Sequence, residues 1–246
     1  MYKIVLIRHG ESEWNKSGRF TGWVDVNLSP LGFKQSRKIG ALLKKEKFSF
    51  NLCFTSFLRR TVKTATIILD KMDLLWLPMI KDWRLNEKHY GCLQGLNKKE
   101  MAKKYGEQQV LLWRRSYDIA PPEIKSSSRY NQMTDVRYSF FKKPVLTESL
   151  KDVEDRVVSF WEKDIISNLK ANKKILIVAS GNSLRALMKY LDNISERDIV
   201  NFNIPVAIPM VCEFDKNFKL KKWSYLGNKQ EIKKLINDTI KQGKIK

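Results

Sequence analysis

The sequence predicts an α/β fold, a three-layer sandwich whose mainly parallel central sheet carries helices on both faces. Three observations predict it. Lys3–Arg8 and Lys174–Ala179 are short, nearly continuous apolar runs, the pattern of strands covered on both sides. Segments with apolar residues at helical spacing alternate with such runs, which implies right-handed crossovers between parallel strands. Both runs end in polar, glycine-containing junctions, Arg8-His9-Gly10 and Ser180-Gly181-Asn182. Open α/β sheets place their ligand crevice outside such strand ends, so the two junctions are expected to face one site.

After the first strand, Ser29 is placed to cap a helix with Pro30 at its first position, continuing through Ile39, Leu42 and Leu43. Asn51–Ser56 reads as a second strand, followed by a helix from Phe57 to about Met72. A helical stretch over Lys98–Arg115 comes next, and Pro121–Pro144 is polar and irregular, a long surface excursion. Leu150–Ala171 reads as one long helix with Val153, Val157, Phe160 and Ile165 at helical spacing. After the Lys174–Ala179 strand come a helix over Ser183–Leu191, two short strands near Met210–Phe214 and Leu220–Tyr225, and a basic C-terminal tail, helical from about Lys229. One domain over residues 1–246 accounts for the whole pattern.

Composition narrows the function. The 246 residues are 43% hydrophobic, enough for a sizeable core, and the formal charge is +21. A basic excess of this size attracts polyanions, yet it consists of 34 Lys and only 13 Arg scattered along the chain. Readers of nucleic acid concentrate Arg on one face, so a solvated lysine surface is the preferred reading. Three well-separated cysteines, Cys53, Cys92 and Cys212, form no C-x-x-C pair. With no apolar run near the length of a membrane span and no signal-peptide pattern, a soluble cytoplasmic protein is expected.

The chemistry concentrates at the first junction. Arg8 sets a permanent cation beside the ring nitrogens of His9, and Gly10 is expected to let a ligand approach the backbone. A guanidinium grips two phosphoryl oxygens in a fixed fork, and a neutral imidazole nitrogen can attack phosphorus in line without a metal. Further cations for the equatorial oxygens are available at Arg59-Arg60 and Arg114-Arg115.

The run Leu6-Ile7-Arg8-His9-Gly10-Glu11-Ser12-Glu13-Trp14-Asn15 resembles the signature of the cofactor-dependent phosphoglycerate mutases of the histidine phosphatase superfamily. The segments Arg19–Trp23, Trp83–Gly91, Leu93–Lys98, Trp113–Arg115, Gly181–Leu187 and Gln242-Gly243-Lys244 are similar to that family in the same order. The resemblance implies a phosphoglycerate mutase-like fold. It also implies that His9 carries a phosphoryl group surrounded by Arg8, Asn15, Arg60 and Asn182 beside Gly181. Thr21, Gly22, Tyr90, Lys98, Arg114 and Arg115 would hold the substrate's carboxylate and phosphate, and Glu87 would move the proton of the receiving hydroxyl. The implied reaction is the glycolytic interconversion of 3- and 2-phosphoglycerate, primed by 2,3-bisphosphoglycerate, with no metal. Small phosphorylated three-carbon acids are the expected partners, with a homodimer by analogy. His89, the only other histidine, is expected to be structural.

Against this pattern stands Ser180, where the family has a second histidine that donates to the phosphoryl oxygens. Loss of one such donor typically costs about 100- to 1000-fold in turnover. An engineered trap, a weakened or repurposed enzyme, and a mutase that tolerates serine all remain open. Smaller departures are Lys88 for Arg, Val206-Ala207 for Thr-Gly, and a poor match over 126–137. Two alternative functions follow: a bisphosphoglycerate phosphatase or synthase, and a non-catalytic polyanion binder.

Overall fold

The computed structural model describes residues 1–241. Six strands form one sheet: β1 (Tyr2–Arg8), β2 (Leu52–Thr55), β3 (Met79–Lys81), β4 (Ile175–Ala179), β5 (Pro209–Phe214) and β6 (Leu220–Tyr225), in the order β3-β2-β4-β1-β5-β6. The pairs β3–β2, β2–β4 and β4–β1 are parallel; β1–β5 and β5–β6 are antiparallel. The sheet is therefore mixed, with its parallel half holding the two junctions.

Alternation along the strands builds the layers. Ile4 and Leu6 of β1 and Ile175 and Ile177 of β4 face α6 (Leu150–Phe160) and α8 (Gly181–Leu191), meeting Val153, Val157, Phe160, Leu184 and Leu187. Val5, Ile7, Leu176 and Val178 face the other way, onto Ile39 and Leu43 of α2 (Pro30–Lys45) and Ala65, Ile68 and Leu69 of α3 (Arg59–Lys71). Both faces of the central strands are thus removed from water, which is why these runs are apolar without interruption. Ser29 caps α2 as expected, its hydroxyl accepting from Gly32 N at 3.1 Å, with Pro30 in the first turn. α2 and α3 approach closely at Gly40, where a Cβ would lie 2.6 Å from Lys71 Cβ and 2.9 Å from the Ile68 carbonyl.

Three elements differ from the sequence expectation. The 98–115 helix is two, α4 (Lys98–Tyr105) and α5 (Glu107–Arg115), divided at Gly106 with φ +86°. That backbone conformation ends a helix and is open to glycine at little cost. The 150–171 helix changes winding: a π-helical stretch, Trp161–Ile165, separates α6 from α7 (Ile166–Lys170). β3 was not anticipated; three half-buried or exposed residues after Pro78 carry no readable period. Residues 121–144 hold no helix or strand apart from one 3-10 turn at Val136–Tyr138. The tail forms α9 (Lys229–Lys241), and the Gln242-Gly243-Lys244 segment lies outside the described residues.

The register of β1 on β4 positions the site. Arg8 pairs with Ala179, so the next residues, His9 and Ser180, leave the sheet side by side. His9 N donates to the Ala179 carbonyl at 3.1 Å, extending the ladder by one bond into the junction.

Candidate active site

A cleft opens at the carboxyl ends of the parallel strands. It is lined from β1 and its junction by Arg8 and His9, from α1 (Glu13–Lys16) by Asn15, and from the loop after it by Thr21 and Gly22. α3 contributes Arg60, the 87–90 loop Glu87 and Tyr90, α4 Lys98, α5 Arg114 and Arg115, and α8 Gly181 and Asn182. Every expected site residue except Ser180 and Gly10 is in this lining. Ser180 is the fully buried N-cap of α8, and its hydroxyl has no hydrogen-bond partner.

The His9 ring is almost fully buried at 3% exposure. Its Nδ1 lies 2.7 Å from the Gly10 carbonyl, and Arg60 Nε donates to its Nε2 at 3.3 Å. A carbonyl only accepts and a guanidinium only donates, so the proton sits on Nδ1 and the lone pair on Nε2. Burial, reinforced by the Arg60 and Arg8 cations, holds the imidazole well below its ordinary pKa and hence neutral. Arg60 is itself pinned by donation to the Val24 and Gly22 carbonyls at 3.0 and 2.7 Å. Gly22 adopts φ +56°, and a Cβ there would fall 2.1 Å from Gln94 Oε1. Gly10 plays a different part from the one expected. It is not in the cleft lining; a Cβ would lie 2.6 Å from the Gly32 carbonyl, so it makes room for the first turn of α2 rather than for a ligand.

On the opposite wall, Glu87 Oε1 accepts from Asn182 Nδ2 at 2.7 Å, from Asn182 N at 3.3 Å and from Lys88 N at 2.7 Å. Asn182 Nδ2 also donates to the Tyr90 hydroxyl at 3.0 Å. The Asn182 amide is thereby drawn to the carboxylate and the Tyr90 hydroxyl. Asn15 spends its carbonyl oxygen on the capping box with Ser12. Lys98, Arg114 and Arg115 are each no more than 9% exposed, and burial, with repulsion from neighbouring cations that include Arg8 in each case, lowers the pKa of all three. The lining contains seven basic side chains and one carboxylate, Glu87. Arg8 Nε, Thr21 Oγ1 and Asn203 Oδ1, all on lining residues, are buried without partners. Buried polar atoms cost stability until satisfied; Arg8 Nε and the Thr21 hydroxyl can donate to an acceptor-rich anion, whereas Asn203 Oδ1, which only accepts, calls for a donor such as a ligand hydroxyl.

The sequence profile of the histidine phosphatase superfamily (branch 1) matches residues 4–225. The chain belongs to this superfamily. A protein of Bacteroides thetaiotaomicron named 2,3-bisphosphoglycerate-dependent phosphoglycerate mutase 2 is 52% identical over 248 residues, covering all of both chains. The 2,3-bisphosphoglycerate-dependent phosphoglycerate mutase of Treponema denticola is 51% identical, covering 99% of this chain and all of that one. Among solved structures, mycobacterial hydrolase 1 superposes with a TM-score of 0.69 at 22% identity, covering 92% of this chain and 97% of that chain, a likeness of fold.

Within this histidine phosphatase cleft, four lining residues were not singled out from sequence: Arg19, Arg185, Asn203 and Ile204. Arg185 had a readable signal, since it follows Asn182 by three residues and so shares its helix face. It donates to Asn182 Oδ1 at 2.7 Å and to the Ile199 and Phe202 carbonyls, orienting the amide toward Glu87. Arg19 is anchored to the Gly95 carbonyl at 2.7 Å. Asn203 and Ile204 arrive through a turn with no local pattern. His89 fits its structural expectation: Nδ1 accepts from Gly91 N at 3.1 Å and Nε2 bonds Gln132 Oε1 at 2.7 Å, leaving neither nitrogen for chemistry.

Proposed function

We propose that this chain interconverts 3-phosphoglycerate and 2-phosphoglycerate through a phosphoryl group carried on His9, with 2,3-bisphosphoglycerate as primer. The observation that carries the reading is the state of His9: a neutral ring in one tautomer, its Nε2 lone pair presented at a cleft dominated by cations. The two mutases that match end to end support the substrate class.

The residues fit the primer, because the orphaned Arg8 Nε and Thr21 Oγ1 lack the acceptors that a bisphosphorylated acid is rich in. When bound, the primer supplies the phosphoryl group. Arg8, Asn15, Arg60 and Asn182 surround the transferring group, with the N-terminus of α8 at Gly181 adding backbone donors. Thr21, Gly22, Tyr90, Lys98, Arg114 and Arg115 hold the carboxylate and the second phosphate. The Arg60 N–H that caps Nε2 in the free site moves to a phosphoryl oxygen. His9 Nε2 then forms the N–P bond as the O–P bond breaks, and Glu87 gives its proton to the departing oxygen. In the reverse half, Glu87 takes the proton of the attacking hydroxyl while the N–P electron pair returns to Nε2. Shifting the acceptor from one hydroxyl to the other gives the isomerisation. Ser180, in place of an imidazole donor, weakens charge stabilisation beside His9, so turnover is impaired relative to a two-histidine site.

A cytoplasmic homodimer completes the proposal. β3 is an outer strand of the sheet, and Ile80 on it and Leu75 and Trp76 just before it are exposed. Exposed Phe140 lies at a tilt against Trp83, two residues after β3, with ring centroids 6.5 Å apart. An apolar sheet edge of this kind is suited to a second copy. The three described cysteines are unpaired, in keeping with a reducing compartment.

The test is to prime purified protein with 2,3-bisphosphoglycerate and follow both phosphoglycerates. Interconversion in each direction is expected. No turnover, or release of inorganic phosphate faster than isomerisation, overturns the mutase reading.

A further inference from the structure

The Glu87 carboxylate is aimed by backbone geometry, and that geometry is held from behind by two side chains that line no part of the cleft. Arg156 of α6 and Glu148, just before it, form an ion pair with side chains 6% and 5% exposed. Arg156 Nε donates to Glu148 Oε1 at 2.7 Å and Nη2 to Glu148 Oε2 at 3.0 Å, a two-pronged contact. Two further donors of the fork go to backbone: Nη1 to the Arg84 carbonyl at 2.6 Å and Nη2 to the Glu87 carbonyl at 3.0 Å. Glu148 in turn accepts from His89 N at 2.8 Å. Trp23 Nε1 adds a second bond to the Glu87 carbonyl, at 2.6 Å.

The peptide joining Glu87 to Lys88 converts these contacts into an orientation. A trans peptide is planar, with its C=O and N–H pointing in opposite directions. Arg156 and Trp23 fix the C=O; the N–H, that of Lys88, therefore points the other way and donates to Glu87 Oε1 at 2.7 Å. The carboxylate is steered by a bond whose direction is set on the far side of the same peptide plane. Glu148 repeats the device one residue on, by holding His89 N. A buried ion pair is seldom retained for net stability, since its desolvation offsets the attraction; specifying one backbone arrangement is a better-attested use.

We propose that the Glu148–Arg156 pair is the positioning device for the Glu87 carboxylate, acting through the 87–88 peptide plane. The inference rests on the reading of Glu87 as the group that moves the substrate proton. It predicts a dependence on the leaving group. Departure of a sugar-acid alkoxide from 2,3-bisphosphoglycerate needs a proton from Glu87, whereas departure of nitrophenolate from 4-nitrophenyl phosphate needs none.

The experiment compares the rates at which His9 is phosphorylated by these two donors in wild type, Arg156→Lys and Glu148→Gln. Lysine keeps the charge but has no planar fork to hold carboxylate and both carbonyls together. Misplacing a catalytic group by about 1 Å costs about 100-fold. Phosphorylation by 2,3-bisphosphoglycerate should therefore fall about 10- to 100-fold in Arg156→Lys, while phosphorylation by 4-nitrophenyl phosphate changes less than about threefold. Glu148→Gln, which keeps size and an acceptor for His89 N, should show the same asymmetry at smaller amplitude, and serves if the lysine variant does not fold. Equal losses with both donors in either folded variant overturn the positioning role. Failure of wild type to be labelled by either donor instead overturns the phosphohistidine reading beneath it.

Discussion

The two walls of the cleft are finished to different degrees. On the Glu87 wall the protein satisfies itself: the carboxylate oxygen accepts from Asn182 and Lys88, and its carbonyl from Trp23 and Arg156. Elsewhere in the lining, Arg8 Nε, Thr21 Oγ1 and Asn203 Oδ1 are buried without partners, as is Ser180 Oγ behind His9 at the next strand end. Glu87 is thus preorganised by the fold, while Arg8 Nε and the Thr21 hydroxyl are left open to acceptors from a ligand. Under the proposed function, such a division would keep the proton carrier in place when charge moves and reserve binding energy for the transferring group.

The sharpest way to break the finished wall is Glu87→Gln, which preserves an acceptor for Asn182 and Lys88 but cannot exchange a proton. Turnover of 3-phosphoglycerate should fall about 100- to 10,000-fold with little change in stability; near-normal turnover would remove Glu87 from the chemistry. On the unfinished wall, Ser180→His should restore a donor beside His9 and raise turnover about 100- to 1000-fold. Unchanged kcat would mean that another group already fills that place.

A third comparison uses pH. Burial, with repulsion from Arg185, brings the Lys88 ammonium from 10.5 down to about 7. A lysine lowered in the folded state binds fewer protons there than when unfolded. Its cost to stability is fully present below about pH 7 and disappears as pH rises toward 10.5. The ligand-free protein should therefore gain stability over that interval by a few kcal/mol relative to Lys88→Met, as read from denaturant midpoints at several pH values. Parallel curves for the two proteins would contradict it. The smallest effect is expected at Ala207, which stands at φ +58° with its N–H bonded to the Arg8 carbonyl. Ala207→Gly should stabilise the His9 wall by about 0.5–1 kcal/mol, the left-handed penalty less the entropy of glycine. A lower melting temperature would refute that account.

How much of this was legible in the sequence follows the same division. The continuous apolar runs of β1 and β4 announced themselves because both faces are buried, and Ser29-Pro30 marked the start of α2. The break at Gly106 and the π-helical turn at Trp161 were hidden, since apolar spacing carries through both. At the site, the local strings around His9, Glu87, Arg114 and Arg115 were readable as a set. Arg156 and Glu148 were not: on a helix and beside it, charged residues read as solvated until tertiary packing brings them under the Glu87 loop. The orphaned hydroxyl of Ser180 was equally invisible: the sequence marked the position only as a missing imidazole donor, and the packed structure shows that the hydroxyl is fully buried at the start of α8 with no partner. Gly10 misled in the opposite direction, its missing side chain serving helix packing rather than a ligand.

The central claim is that the phosphoryl group rests on Nε2 of His9. Phosphorus NMR of the protein primed with 2,3-bisphosphoglycerate tests it most directly. The account predicts one phosphohistidine resonance of the Nε2-linked type, absent in His9→Gln. A phosphoenzyme that persists in His9→Gln, or a phosphoserine signal abolished by Ser180→Ala, would contradict it.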